Sequence, residues 1–271
     1  MKFAIEQEKF ADYTIVRQIG KGGFGRVYEA VDKDGSIYAL KLMCPTPFIS
    51  SDYIKQIISN TKTVSEKCVG LNIVPLIKYG SMDESFYMLS NFFRRGSLED
   101  LLKEKNLSDS QKLNLLISMA NTLSDVHSRG IVHGDIKPSN FLISEDGIPF
   151  LTDFYFDINR ASFSLGMPKG TIEYMSPEQA EGKLFSYKSD IYSLGVLAYN
   201  IFSGQSPFKK SSSIKQLIID KINGNVLPPI EFNKQMNSSL SDLIMKAMHH
   251  DLKGRFASMK EFHEALKSIS V

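Results

Sequence analysis

The sequence predicts a bilobal α+β chain: a small antiparallel sheet with one main helix, followed by a larger and mainly helical part. Three observations carry this prediction. Segments alternating at period two occupy much of the first 90 residues, helix-period apolar stripes dominate from Ser97 onward, and Asn91-Phe92-Phe93-Arg94-Arg95-Gly96 breaks the pattern between them. The expected organisation is an N-terminal extension over 1–12 and one domain over 13–271. Within that domain the first lobe covers about 13–90, the hinge about 91–96 and the second lobe about 97–271.

Composition bounds the function before any motif is read. At 271 residues, 42% hydrophobic and 23% charged, the chain has the makeup of an ordinary globular protein with a substantial core. A net charge of +2 gives no general affinity for nucleic acid or membrane surfaces. Cys44 and Cys68 are too few for a disulfide framework, and Met1-Lys2-Phe3-Ala4-Ile5-Glu6 lacks the apolar stretch of a signal peptide. No apolar run approaches the roughly 18 residues of a membrane span. The expectation is a cytoplasmic chain in a reducing compartment, with no nucleic-acid partner and no membrane insertion; delivery as a secreted effector stays open.

The elements follow in order. Tyr13 to Ile19 alternates as a strand, as does Arg26 to Val31, and Gly20-Lys21-Gly22-Gly23-Phe24-Gly25 lies between them. Glycines at that density make either a tight hairpin turn or a backbone whose amides face phosphate oxygens. A third strand, Ser36 to Met43, carries Lys41 among apolar neighbours. Lys41 is therefore either on the wet face of an edge strand or matched to an anion, because an ammonium is costly to desolvate alone. Ile54, Ile57, Ile58 and Val64 fall at helical spacing and predict one helix from Ser51 to about Lys67. Asn72 to Ile77 and Phe86 to Leu89 read as two further strands, completing a sheet of about five.

In the second part, Ser108-Asp109-Ser110-Gln111 has capping-box form and opens a helix with Leu113, Leu116, Ile117, Ala120, Leu123 and Val126 on one stripe. A ribbon over Leu142 to Asp153 follows. Helices are expected over 189–203, 214–223, 239–249 and 258–269, with His249-His250 marking a helix end rather than a zinc site.

Between the capped helix and the ribbon lies His133-Gly134-Asp135-Ile136-Lys137-Pro138-Ser139-Asn140. A carboxylate there can orient and deprotonate a hydroxyl, and an ammonium two residues on can neutralise a transferring phosphoryl group. An amide oxygen five residues on can hold a divalent metal, with Asp153 as a second oxygen ligand. A capped turn with surface charges is the plainer alternative for so short a motif.

Taken together these residues resemble the eukaryotic-type, or Hanks-type, serine/threonine protein kinase family over nearly the whole chain, from about Tyr13 to Ile269. Gly20-x-Gly22-x-x-Gly25-x-Val27, Ala39-Leu40-Lys41, the Asp135-to-Asn140 loop and Asp153-Phe154 occur in the family's order. Ser176-Pro177-Glu178 is similar to its Ala-Pro-Glu site, Asp190 with Gly195 to its central helix, and Arg255 stands where the family pairs an arginine with that glutamate. The resemblance implies Asp135 as catalytic base, Lys137 on the transferred phosphoryl group, and Asn140 and Asp153 as ligands of magnesium, with manganese as its substitute. It also implies an ATP site built from Ile19, Gly20, Gly22, Gly25, Val27, Ala39, Lys41, Ser90, Asn91, Phe93 and Leu142. Ser90 takes the gatekeeper position, and the backbone of Asn91 and Phe93 makes the hinge hydrogen bonds. Lys137, with Gly170-Thr171 ahead of Ser176-Pro177-Glu178, points to a protein substrate phosphorylated on serine or threonine.

Several departures from the family pattern shape the expectations. Gly134 stands where many members have arginine, so phosphorylation at Ser162, Ser164 or Thr171 is expected not to be strictly required; Thr171 has a second role open to it, contacting Asp135 and Lys137. Tyr155 replaces a glycine after Asp153-Phe154 and narrows the backbone there. The glutamate partner of Lys41 is either Glu66 on a shifted helix or missing, since Asn60 or Thr61 occupies the family's position. Two other readings follow: a pseudokinase scaffold that binds nucleotide without efficient transfer, or a small-molecule phosphotransferase. An almost bare domain implies regulation by a partner protein or by localisation.

Overall fold

The computed structural model describes residues 9–22, 25–47, 49–104, 107–154, 169–208, 211 and 213–270, with the backbone alone for 169–171. The expectations on Tyr155, Ser162 and Ser164, on the Thr171 side chain, and on Gly23 and Phe24 lie outside the described residues, as do Met1 to Glu8. The chain divides into two compact units, Met1–Arg94 and Arg95–Val271.

The first unit is a six-stranded antiparallel sheet. Its strands are β1 (Lys9–Phe10), β2 (Tyr13–Gly22), β3 (Gly25–Val31), β4 (Ile37–Met43), β5 (Leu76–Met82) and β6 (Ser85–Asn91), in the order β1-β2-β3-β4-β6-β5. Helix α1 (Ser51–Lys67) joins β4 to β5; Ser50 caps it by accepting from the Tyr53 amide, and Ile54, Ile57, Ile58 and Val64 are buried as their spacing predicts. Alternation along the strands sorts the side chains. Tyr28, Ala30, Leu40, Leu42 and Leu89 fall on one face and build the core with Phe10, Tyr13, Ile15 and Tyr87.

Two expectations are corrected here. The strand expected over Asn72–Ile77 runs instead over Leu76–Met82: Pro75 has no amide hydrogen for a ladder, and the true strand is an edge whose Ile77, Lys78 and Tyr79 are exposed, so no apolar alternation announces it. The sheet has six strands rather than five, because Lys9–Phe10 in the polar lead-in pairs with Tyr13 and Thr14, and Phe10 packs edge-on to Tyr87. Two residues are too few to display a period.

The second unit is mainly helical. Its helices are α2 (Leu98–Lys103), α3 (Asp109–Ser128), α4 (Lys169–Tyr174), α5 (Pro177–Ala180), α6 (Tyr187–Ser203), α7 (Ile214–Asn223), α8 (Ser238–Ala247) and α9 (Met259–Lys267). A two-stranded ribbon, β7 (Phe141–Ile143) with β8 (Pro149–Leu151), follows the loop after α3 and is shorter than the expected 142–153. Helix α6 is buried on every side, as its long apolar run requires, and α3 packs against α6 and α9. Ser108 and Gln111 make the capping box read from the sequence. Among the described residues no helix is long and apolar enough to cross a membrane.

Candidate active site

In the first unit, strand register gathers the expected nucleotide residues on one face of the sheet. Gly20 pairs with Val27, Val27 with Lys41, and Lys41 with Met88; two residues along, Ala39 pairs with Ser90. Paired residues share a face, and residues two apart share it too, so Val27, Ala39, Lys41 and Ser90 all lie opposite the Tyr28–Leu40–Leu89 core. Ile19 sits at a register shift in β2, Asn91 ends β6, and Phe93 follows it.

The glycines of the β2–β3 hairpin have different physical reasons. A Cβ on Gly25 would collide with the Leu42 carbonyl oxygen, and its φ is +155°, so the sheet itself requires glycine there. A Cβ on Gly20 would make only ordinary contact with Val27, and one on Gly22 would meet nothing within 4 Å among the described residues. Neither position needs glycine to avoid a clash with the sheet, which fits a backbone kept bare for a ligand.

Glu66 is 66% exposed and lies 3.8 Å from Lys62 one turn away, while the Thr61 hydroxyl donates to the Ile57 carbonyl of its own helix. Glu66 is thus placed as an ordinary helix-surface partner.

In the second unit the loop after α3 converges on Asp135. Lys137 Nζ is 2.6 Å from Asp135 Oδ2, and Asn140 Nδ2 donates to the same oxygen at 3.1 Å and to the Asp135 carbonyl at 2.7 Å. Both donations use the Asn140 amide nitrogen, which fixes the flip of a side chain only 3% exposed and leaves Oδ1 as an acceptor. Pro138 starts a short 3-10 turn over Pro138–Asn140 that closes the spacing.

The loop is held by Asp190 on α6. The His133 and Gly134 amides each donate to its carboxylate at 2.8 Å, and His127 Nε2 lies 2.8 Å from Oδ2. Burial alone would raise the Asp190 pKa, but the His127 hydrogen bond and charge and the Gly134 amide outweigh it and hold it below the ordinary value. Gly134 has φ +78°, and its missing Cβ would lie 2.7 Å from Phe185 Cε2, so the ring occupies the space a larger residue would need.

His133 ties this loop to Asp153. Its Nδ1 accepts from the Asp135 amide at 3.1 Å, so Nε2 carries the proton that it donates to the Thr152 carbonyl at 2.9 Å. The Thr152 amide donates to the Asn140 carbonyl at 3.0 Å, and Phe154 packs against His133 with ring centroids 4.7 Å apart. Asp153, gripped on both sides, takes φ +61°, a left-handed conformation that costs a non-glycine residue on the order of 1 kcal/mol. Such strain persists where the surroundings over-determine it, and here the Thr152–Asn140 backbone hydrogen bond brings the residue before Asp153 against the turn that carries Asn140. One amide oxygen and one carboxylate fit magnesium, which commonly takes one or two protein oxygens and completes its shell with water and phosphate. Leu142, expected at the nucleotide, lies on β7 opposite Phe150.

A third arrangement supports the segment before α6. Arg255 is buried and grips both oxygens of Glu178 at 2.8 Å, Ser189 donates to Glu178 at 2.6 Å, and Gln179 Nε2 donates to the Gly134 carbonyl at 2.8 Å. Burial would raise the Glu178 pKa, and the Arg255 hydrogen bond and charge more than reverse it. Sequence reasoning missed His127, His133 and Gln179 as parts of this scaffold. The spacing of His133, two residues before Asp135, was the available signal.

The sequence profile described as Protein kinase domain matches residues 13–268, and the chain belongs to that family. It is 30% identical over 261 residues to a probable serine/threonine-protein kinase of Clostridium perfringens, covering 95% of this chain and 38% of that protein. It is 33% identical over 274 residues to the serine/threonine-protein kinase PknA of Corynebacterium glutamicum, covering 96% and 56%. An Aurora kinase of Schizosaccharomyces pombe is 34% identical over 202 residues, covering 74% and 57%. The chain thus spans between about two fifths and three fifths of these relatives' lengths.

Proposed function

We propose that the chain is an ATP-dependent serine/threonine protein kinase with Asp135 as its base. The observation that carries this reading is the Asp135 carboxylate, held at one oxygen between Lys137 Nζ and Asn140 Nδ2. ATP with magnesium supplies the phosphoryl group and the neutralising charge when bound. Asp135 would orient the acceptor hydroxyl and take its proton as the oxygen forms its bond to the γ-phosphorus and the bond from that phosphorus to the bridging oxygen breaks, with ADP as the leaving group; Lys137 would balance negative charge on the transferred group. Asn140 and Asp153 are the oxygen ligands for the metal. Gly20, Gly22, Val27, Ala39, Lys41 and Ser90 line the nucleotide face of the sheet, with Ile19, Gly25, Asn91, Phe93 and Leu142 completing the nucleotide set. The acceptor is a protein.

A second reading, a pseudokinase that binds nucleotide without efficient transfer, is favoured by Gly134, whose φ of +78° and closeness to the Phe185 ring leave no room for the arginine expected there. Intact-mass measurement with magnesium, ATP and histone separates the two. Phosphate on the chain or on histone, lost in Asp135→Asn, supports the kinase reading. No transfer, with thermal stabilisation by ATP, overturns it in favour of the scaffold.

A further inference from the structure

Gln179 on α5 is only 5% exposed, and the two ends of its side-chain amide serve different parts of the chain. Oε1 accepts from the Ser176 amide at 3.1 Å and from the Ser176 hydroxyl at 3.0 Å, which completes the capping box of its own short helix. Nε2 donates at 2.8 Å to the Gly134 carbonyl, 45 positions back in the loop that carries Asp135. A backbone amide only donates and a carbonyl only accepts, so these two partners fix the orientation of the Gln179 amide. The cap needs an acceptor at this position, and glutamate would supply one equally well. What glutamine adds is the donor.

The carbonyl that receives it is half of a planar unit, because Gly134 C=O and Asp135 N–H belong to one peptide group. Gln179 holds the carbonyl end of that plane, and His133 Nδ1 holds the amide end at 3.1 Å. The peptide before it is tied to Asp190 through the Gly134 amide. Gly134 sits at φ +78° and has no Cβ to limit rotation, so the plane between it and Asp135 turns at little steric cost unless its ends are held. Turning that plane changes φ at Asp135, and with it the direction in which the Asp135 side chain leaves the backbone.

We propose that Gln179 is a positioning residue for the base: its Nε2 holds the Gly134–Asp135 peptide plane and so aims the Asp135 carboxylate. This role rests on the kinase reading above. It belongs to the Nε2 donor, and neither the bulk of the side chain nor its capping oxygen can replace it.

Gln179→Glu separates the donor from the cap. It keeps the size and the capping acceptor, but the second oxygen meets the Gly134 carbonyl as an anion and can donate to it only when protonated. The ionisable groups joined to this contact are Asp190, His133 and the pairs Glu178 with Arg255 and Asp135 with Lys137. The two pairs largely neutralise themselves, so burial and the Asp190 carboxylate push the introduced carboxyl above its ordinary range. At about pH 8 the variant is expected to show a kcat on histone about tenfold below wild type with the ATP KM unchanged, and the deficit is expected to shrink toward about pH 6. A wild-type kcat at the higher pH, or a deficit that stays constant with pH, overturns the role.

Gln179→Met, which buries no charge, covers a Gln179→Glu chain that fails to fold; it is expected to lose about tenfold in kcat at every pH, and a wild-type kcat overturns the role. Hydrogen exchange at the Asp135 amide, followed by NMR, is expected to quicken in either variant, and an unchanged rate also overturns it. The exchange measurement needs no phosphoryl transfer. Absence of transfer by the wild type therefore strikes the kinase reading, while the exchange rate still decides whether Gln179 holds the plane.

Discussion

Arg255→Met tests the buried pair of Arg255 and Glu178. In the native structure the guanidinium donates to both Glu178 oxygens at 2.8 Å and to the carbonyls of His249 at 2.7 Å, Lys188 at 2.9 Å and His250 at 3.2 Å. Methionine removes all five bonds and leaves Glu178 buried with Ser189 as its remaining side-chain donor. Breaking a buried pair from one side costs about 3–5 kcal/mol, chiefly from the stranded charge. For a chain of this size that lowers the thermal midpoint by on the order of 10 °C. The pH dependence gives the sharper check. With Arg255 present the folded pKa of Glu178 is depressed, so its stabilisation is complete above the unfolded pKa near about 4 and is lost as pH falls through the folded value. Without Arg255, burial dominates and raises that pKa, so the penalty is largest at neutral pH and shrinks as the carboxyl protonates. Urea unfolding of both proteins at pH 7 and at about pH 4 therefore shows a wide gap that narrows on acidification, and adding Glu178→Gln to Arg255→Met recovers part of the loss at pH 7. A loss below about 1 kcal/mol, or a gap that stays constant with pH, refutes the argument.

Gly134→Arg, which installs the residue many family members carry, forces a side chain into φ +78° and onto Phe185. It lowers stability by about 1–3 kcal/mol, and Phe185→Ala restores part of that in a denaturation series; no recovery would mean that the ring is not the obstacle. Ser90→Met narrows the sheet face beside Ala39 and weakens binding of purine analogues bearing bulky substituents, read by competition against ATP; undiminished binding sinks the gatekeeper assignment. Gly25→Ala lowers the thermal midpoint because its Cβ meets the Leu42 carbonyl, whereas Gly22→Ala leaves the midpoint in place and weakens ATP binding in calorimetry. Equal effects of the two on stability would contradict the separate reasons assigned to these glycines.

What could be read in advance depended on the range of the interaction. Helix α1 was legible because its apolar stripe of Ile54, Ile57, Ile58 and Val64 repeats within the helix itself. Asp135, Lys137 and Asn140 were legible because one short turn brings them together. Strand β5 was not, since an exposed edge strand has no buried face to impose alternation on Lys78 to Ser81. Nor was the role of His133, whose tautomer is set by the Asp135 amide on one side and the Thr152 carbonyl on the other.

Lys221 is the most instructive of these residues, because its sequence neighbourhood describes it wrongly. In an amphipathic helix a lysine is expected on the wet face, yet four residues from Leu217 it stands on the buried one. Its partner is a main-chain oxygen 48 positions away, which no side-chain pattern can advertise. The same reasoning separates the two cations that hold residues 173–178. Arg255 answers a carboxylate with two charge-assisted bonds, so each member of that pair could be sought from the other; Lys221 donates to a backbone carbonyl, with the Phe208 ring centroid 4.0 Å from its Nζ. A charge on an apolar stripe, with no complementary charge in the pattern, is therefore the signal to search for in such helices. It marks a place where the fold has committed a donor to one particular carbonyl, here that of Glu173.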